Sequence, residues 1–260
     1  MFKIISFNAN GIRAAERKGF FTWLANQEAD AVCIQETKAH YAQLQDNPIF
    51  SPLSYNYYHD AQKKGYSGTA LYLKHPPQEV IHGIDWAEID EEGRYIEAKY
   101  QNLSIISLYM HSGTSGTHRQ ERKESFMQKF LPYLQARQKQ GERLIICGDI
   151  NIAHTEKDIR NWKGNLKNSG FLPHERDWLT TLFNNGFKDA FRLVNQEEHQ
   201  YTWWSQRGQA RNNNVGWRID YQIITDNLAP NVVDANIYTN ERLSDHAPLI
   251  MRYRNINEFL

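Results

Sequence analysis

The sequence predicts a layered α/β domain built on a mixed sheet, and three observations point there. Short runs rich in β-branched and aromatic residues recur along all 260 residues, several of them almost continuously apolar, as in strands covered on both faces. Segments with helical periodicity lie between them, and neither a repeat nor a low-complexity linker interrupts the chain, which favours a single domain over residues 1–260. Apolar residues make up 40% of the chain and aromatics 13%, enough for a continuous core.

Taken in order, the expected strands are "KIISF" (3–7), "AVCIQ" (31–35), "TALYL" (69–73), "YIEAKY" (95–100), "LSIISLY" (103–109), "LIICG" (144–148), "IDYQII" (219–224) and "PLIMRY" (248–253). The third, fourth and fifth succeed one another without a helix, which implies hairpins and hence a mixed sheet. A helix is expected over 14–28, with Phe20, Phe21 and Leu24 on one face. A second is expected over 118–140, with Phe126, Phe130, Leu131 and Leu134 on one face and Pro132 as a kink or interruption. A third over 173–186 opens on Pro173 and stops at Gly186.

Cys33 and Cys147 lie inside apolar runs and are expected to be reduced core residues. No run of about 18 apolar residues exists and the N-terminus lacks a secretory pattern, so a soluble cytoplasmic protein is expected, without membrane contact. The net charge is zero, which leaves any affinity for a polyanion to local patches. Acids gather over 85–93, whereas 157–167 and 203–218 are rich in Lys, Arg, Asn and Trp.

The residues at the end of each apolar run are more telling. "KIISF" leads to Asn8 and Asn10, "AVCIQ" to Glu36, "LSIISL" to Tyr109, and "LIICG" to Asp149 and Asn151; Asp220 opens one late strand, and Asp245 and His246 precede the last. Singly, each has an ordinary explanation as a turn, a cap or a packed aromatic. Strand ends are neighbours in space, however, so these residues could line one crevice. Glu36 and the Asn8 amide offer hard oxygen ligands suited to Mg²⁺ or Mn²⁺, and no Cys/His spacing suits zinc. A carboxylate to orient water and a charged histidine to meet developing negative charge would complete a phosphodiester site.

The ordered segments "SFNANGIR", "QETK", "GYSGTALY", "EGRYIEA", "LYMHSG", "GDINIAH", "NWKGNLKNSGFLPHERDW", "YTWWSQRGQARNNNVGWRIDY" and "SDHAP" closely resemble the exonuclease III family of apurinic/apyrimidinic endonucleases, over essentially the whole chain. The resemblance implies a four-layer α/β/β/α sandwich of two packed mixed sheets flanked by helices. It also implies Mg²⁺- or Mn²⁺-dependent hydrolysis of double-stranded DNA 5′ to abasic sites, with processing of blocked 3′ ends and 3′–5′ exonuclease action, by a monomer.

Carried over by motif, Glu36 resembles the principal metal ligand, with Asn8, Asp149, Asn151 and Asp245 around it. Asp149 is similar to the residue that orients or deprotonates water, Asn151 to the one that helps place it. Asp220 resembles the acid that supports the catalytic His246, and Tyr109 the active-site tyrosine. Asn10, Asn165 and Asn168 match DNA-contacting positions, and Trp203, Trp217 and Ile219 match the wall that accepts an extruded baseless sugar. Trp204 reads as core, since adjacent strand residues face opposite ways. One departure stands out: the family commonly has proline two residues after the tyrosine, whereas His111 stands there, adding a titratable group near the phosphate region. A phosphodiesterase on a lipid or inositol phosphate, and a non-catalytic nucleic-acid-binding regulator, are the competing readings.

Overall fold

The structure, a computed structural model, describes residues 1–260. Its strands are β1 (Phe2–Asn8), β2 (Ala31–Gln35), β3 (Tyr55–His59), β4 (Thr69–Leu73), β5 (Glu79–His82), β6 (Tyr95–Lys99), β7 (Ser104–Tyr109), β8 (Leu144–Asp149), β9 (Phe187–Asp189), β10 (Trp203–Trp204), β11 (Gly216–Trp217), β12 (Asp220–Thr225), β13 (Val232–Ile237) and β14 (Leu249–Tyr253). The helices are α1 (Ile12–Arg17), α2 (Phe20–Ala25), α3 (Ala87–Asp90), α4 (Thr117–Lys139), α5 (Trp162–Asn165), α6 (Pro173–Asn184) and α7 (Ala190–Val194).

Two six-stranded sheets form, in the orders β13-β14-β1-β2-β4-β3 and β5-β6-β7-β8-β12-β9, with β10 and β11 as a separate ribbon. Both large sheets are mixed: β1 pairs parallel with β2, and β7 with β8, while the other ladders are antiparallel. Alternation along each strand sorts side chains between layers. Ile4 belongs to a core shared by both sheets, together with Leu71, Ile105 and Ile145, whereas Ile5 packs outward with Phe20, Phe21 and Leu24 of α2. On the far side, Ile106, Ile146 and Tyr221 pack against Phe126, Phe130 and Leu134 of α4 and Leu179 and Leu182 of α6. The result is an α/β/β/α sandwich in which each large apolar side chain contributes about 1.5–3 kcal/mol on burial.

Directional bonds cross the layer between the sheets. Gln35 donates to the Ser107 hydroxyl at 3.0 Å, Ser107 to the Ile34 carbonyl at 2.8 Å, Gln222 to the Ile4 carbonyl at 3.1 Å, and Tyr253 to Gln222 at 2.8 Å. Such bonds constrain the relative position of the sheets in a way that apolar contact alone does not. Cys33 and Cys147 are free and buried in the same layer.

Two helical expectations change. Residues 14–28 form two helices because Gly19 takes a left-handed conformation (φ 89°), closing α1 and reorienting the chain so that Phe20 and Phe21 reach the sheet. Pro132 neither breaks nor interrupts α4. It sits on the exposed face, as does Gln128 one turn earlier, where the carbonyl that loses its partner can bond water instead. No helix is long and apolar enough to cross a membrane.

Candidate active site

The topology brings one end of both sheets together. The parallel pairs β1/β2 and β7/β8 run toward the same edge, and the antiparallel β14 and β12 begin there, so Ser6 aligns with Leu249, Asn8 with Gln35, Tyr109 with Asp149, and Asp149 with Asp220. One residue before Tyr109 and Asp149 the backbones approach closely; a Cβ on Gly148 would lie 2.2 Å from the carbonyl oxygen of its partner Leu108. Asn10, Glu36 and Asn151 have φ of 43°, 58° and 56° just past their strands. That left-handed conformation is uncommon for residues other than glycine, and here it turns side chains into the groove.

A groove of about 610 Å³ opens at this edge, lined by Asn10, Glu36, Tyr109, Asp149, Asn151, Asn165, Asn168, Trp203, Trp217, Ile219, Asp245 and His246. Two sequence-expected residues stand just behind its surface. Asn8 is fully buried; its amide donates to Asp149 Oδ2 at 2.9 Å and its oxygen accepts from the Asn10 N–H at 2.9 Å. Asp220, also buried, accepts from His246 Nδ1 at 2.8 Å. The acid that orients the imidazole is therefore Asp220, from the other sheet, rather than the adjacent Asp245.

Asp245 instead accepts from Asn10 Nδ2 at 3.0 Å, from Ser244 Oγ at 3.1 Å and from Trp203 Nε1 at 3.2 Å. Burial alone would raise its pKa, but the His246 charge and these donors outweigh it and hold the carboxyl below its ordinary range. Burial opposes the charged form of His246 as well, yet Asp220, Asp149 and Asp245 together raise the imidazole to about 10. Asp149, fully buried, is pushed up by desolvation and by Asp220 and Glu36, against the lowering effects of His246 and Asn8. Burial, reinforced by Glu36, raises Tyr109, so its hydroxyl is neutral near pH 7.

The donors suit a hard divalent cation. Glu36, Asp149 and Asp245 bring carboxylates to one groove, with amide oxygens nearby and no thiol. The Lys38 ammonium already lies among these oxygens, 3.0 Å from Glu36 Oε1 and 2.6 Å from Asn10 Oδ1. Asp149, Asp220 and His246 also cluster tightly enough to suggest a metal cage. The His246–Asp220 hydrogen bond already occupies Nδ1 in that trio and Nε2 stands 3.8 Å from Asp149 Oδ2, so we read it as an imidazole held by one acid and facing a second.

One wall of the groove is apolar. Trp203 and Trp217 meet edge to face at 6.3 Å beside Ile219, while Trp204 is buried on the opposite side of its strand with Arg211 stacked 4.6 Å from its ring. Asn168 donates to Asn165 Oδ1 at 2.8 Å, and Asn165 to the Asn161 carbonyl at 2.7 Å, which shapes one rim of the groove. Ser112, Gly113, Thr114 and Lys167 line it too, and Arg94 stacks beneath the Tyr109 ring at 4.5 Å. Sequence reasoning singles out none of these five by name, although Arg94 sits within the quoted "EGRYIEA", Ser112 and Gly113 within "LYMHSG", and Lys167 within "NWKGNLKNSGFLPHERDW".

His111 corrects the sequence reading. It is buried outside the groove lining, with Nε2 3.3 Å from Glu92, and is not a titrating group beside the phosphate region. Desolvation is the main influence and lowers it to about 4; Glu92 opposes this, while Arg94 and Arg122 add to it. Since the folded pKa lies below the unfolded value of about 6.5, protons favour the unfolded chain as pH falls through that window. Between pH 7.5 and 5, the wild type should lose about 2 kcal/mol more stability than His111→Gln. Urea denaturation at the two pH values checks this, and parallel curves would contradict it.

The comparisons with known proteins agree with this geometry. Residues 5–246 match the Endonuclease/Exonuclease/phosphatase family. The chain is 39% identical to an exodeoxyribonuclease of Bacillus subtilis (strain 168), covering 95% of this chain and 97% of that protein. It is 36% identical to the DNA repair nuclease APEX1 of Danio rerio, covering 96% and 81% respectively. The solved structure of an AP endonuclease from Archaeoglobus fulgidus superimposes with a TM-score of 0.85 at 26% identity, over 98% of this chain and 100% of that one. The sandwich, the polar edge where its sheets meet and these near end-to-end matches together show that the chain belongs to the endonuclease/exonuclease/phosphatase family, among its DNA repair nucleases of exonuclease III and AP endonuclease type.

Proposed function

We propose that this chain, as one domain and a cytoplasmic monomer, cleaves double-stranded DNA 5′ to abasic sites and trims blocked 3′ ends. The observation that carries this reading is the juxtaposition, in one groove, of Asp149 and the Asp220-held His246 with the Trp203–Trp217–Ile219 wall. The acid and the imidazole suit phosphodiester hydrolysis. The wall suits a flipped, baseless sugar, since extrusion costs least where pairing and stacking are already lost.

Glu36, with Asp245 and the groove-facing oxygens of Asp149 and Asn151, would hold Mg²⁺ or Mn²⁺, which polarises a phosphoryl oxygen when bound, while the buried Asn8, expected from sequence as a ligand, braces the set through its bond to Asp149. The remaining chemistry belongs to the side chains. Asp149 Oδ1 accepts from the Asn151 N–H at 3.0 Å and its Oδ2 from Asn8, so the carboxylate is held in place to orient and deprotonate water. His246 presents a cation to the phosphate, kept charged and in one orientation by Asp220. The neutral Tyr109 hydroxyl can donate to a phosphate oxygen. Asn10, Asn165 and Asn168 would hold the sugar–phosphate backbone without reading bases.

The test is an abasic duplex incubated with purified protein, Mg²⁺ or Mn²⁺, with and without EDTA, beside 3′-phosphate and 3′-recessed substrates. Metal-dependent nicking 5′ to the lesion is expected. A protein that binds the duplex yet leaves it intact with either metal overturns the reading.

A further inference from the structure

We propose that Lys123 and Glu175 are positioning residues that hold the Asn151 backbone and the DNA-facing turn over residues 168–172 as one unit. The inference rests on the site reading given above. Lys123, on α4, and Glu175, at the start of α6, both have side chains with 0% exposure and meet at 2.7 Å. An isolated ion pair in such a place loses so much hydration that apolar residues of similar volume would serve packing at least as well. What the pair does have is a closed set of bonds to functional backbone.

Lys123 Nζ also donates to the Asn151 carbonyl at 2.8 Å. That bond completes the restraint of a residue with φ 56°, whose N–H is held by Asp149 Oδ1 at 3.0 Å and whose side-chain nitrogen is held by the Met110 carbonyl at 2.9 Å. The side-chain oxygen is the group left to face the groove. On the other side, Glu175 Oε2 accepts from the Gly170 N–H at 2.6 Å and the Leu172 N–H at 3.2 Å, and Oε1 accepts from Gln120 at 3.1 Å.

Gly170 closes the circuit. Its carbonyl accepts from the Ala153 N–H at 2.8 Å, and a Cβ placed on it would lie 3.1 Å from the Asn151 carbonyl oxygen and 3.0 Å from the Trp217 ring. The turn that carries Asn168, the sugar-facing Trp217 and the backbone of Asn151 are thus in mutual contact, with the Lys123–Glu175 pair beneath them. Supporting shells of this kind act on rate by fixing geometry, and a displacement of about 1 Å can cost on the order of 10²-fold.

The double variant Lys123→Met/Glu175→Gln removes both buried charges together, which avoids stranding one of them, and takes away the donor to Asn151. We expect it to fold, with kcat on an abasic duplex at saturating DNA and Mg²⁺ lowered about 10- to 100-fold. The single Glu175→Gln retains the lysine donor but weakens its grip on the turn, and should raise KM for the duplex more than it lowers kcat. A folded double variant with kcat within twofold of wild type overturns the inference. Should the double variant not fold, Glu175→Gln alone decides, and unchanged kcat and KM overturn it. Asn151→Ala runs in parallel: if wild type nicks and Asn151→Ala nicks equally well, it is the assignment of Asn151 that fails, not the linkage beneath it.

Discussion

With His246 replaced by asparagine, nicking of an abasic duplex at saturating DNA slows by about 10²–10⁴-fold while the protein stays folded. The expectation follows from what the imidazole is for. Asp220 holds Nδ1 at 2.8 Å, and three surrounding carboxylates raise the ring to about 10 despite its burial, so His246 is a cation near pH 7. Asparagine can still donate to Asp220 and fill part of the space, but it carries no charge toward the phosphate. Single-turnover rates and a thermal melt, measured on the same preparation, separate lost chemistry from lost fold. A variant within fivefold of the wild-type rate would remove His246 from the mechanism.

Glu36→Ala should cost still more, about 10³-fold or beyond, and excess Mg²⁺ should not restore the rate. Asp149, Asp245 and Asp220 are each committed to hydrogen bonds with Asn8, with Asn10 and Trp203, and with His246. Glu36 has only the partly exposed Lys38 as a polar partner, so its carboxylate is the one most available to a cation. For the same reason its loss should leave stability nearly intact, since an ion pair this open to solvent is worth little. Fluorescence anisotropy of the duplex in EDTA, paired with nicking across a Mg²⁺ titration, distinguishes loss of metal from loss of DNA binding. Activity that recovers at high Mg²⁺ would place the principal ligand elsewhere.

Strands buried on both faces, such as "AVCIQ" and "LIICG", announce themselves by continuous apolar runs, and the polar residues that terminate them mark the groove. Among the edge strands, β3 and β5 do not, because "YNYYH" and "EVIH" are half exposed and carry no clear period, whereas β13 does alternate over "VDANI" but is too short and too polar to stand out from a loop. Gly19 shows a different limit: a glycine within a helical pattern can be tolerated or can end the helix, and only the packing of Phe20 and Phe21 decides. Lys123 lies in the charged run "HRQERKESF", which reads as a solvated face until its buried partner, fifty-two residues later at Glu175, is in view. His111 misleads in the opposite sense, since a histidine beside an active-site tyrosine suggests titration, whereas burial against Arg94 and Arg122 keeps it neutral.

The bonds that span the sandwich have a further consequence. Asn8 ends a strand of the first sheet and His246 lies in the segment that leads into its β14, while Asp149 and Asp220 come from the second, so both hydrogen-bonded contacts at the heart of the groove exist only where the two sheets are in register. Activity is therefore a gauge of alignment, more exacting than any spectroscopic measure of secondary structure. Were the sheets to shear past each other by an ångström, every strand, helix and most of the core would persist, and the protein would look native while its imidazole and its carboxylates no longer met.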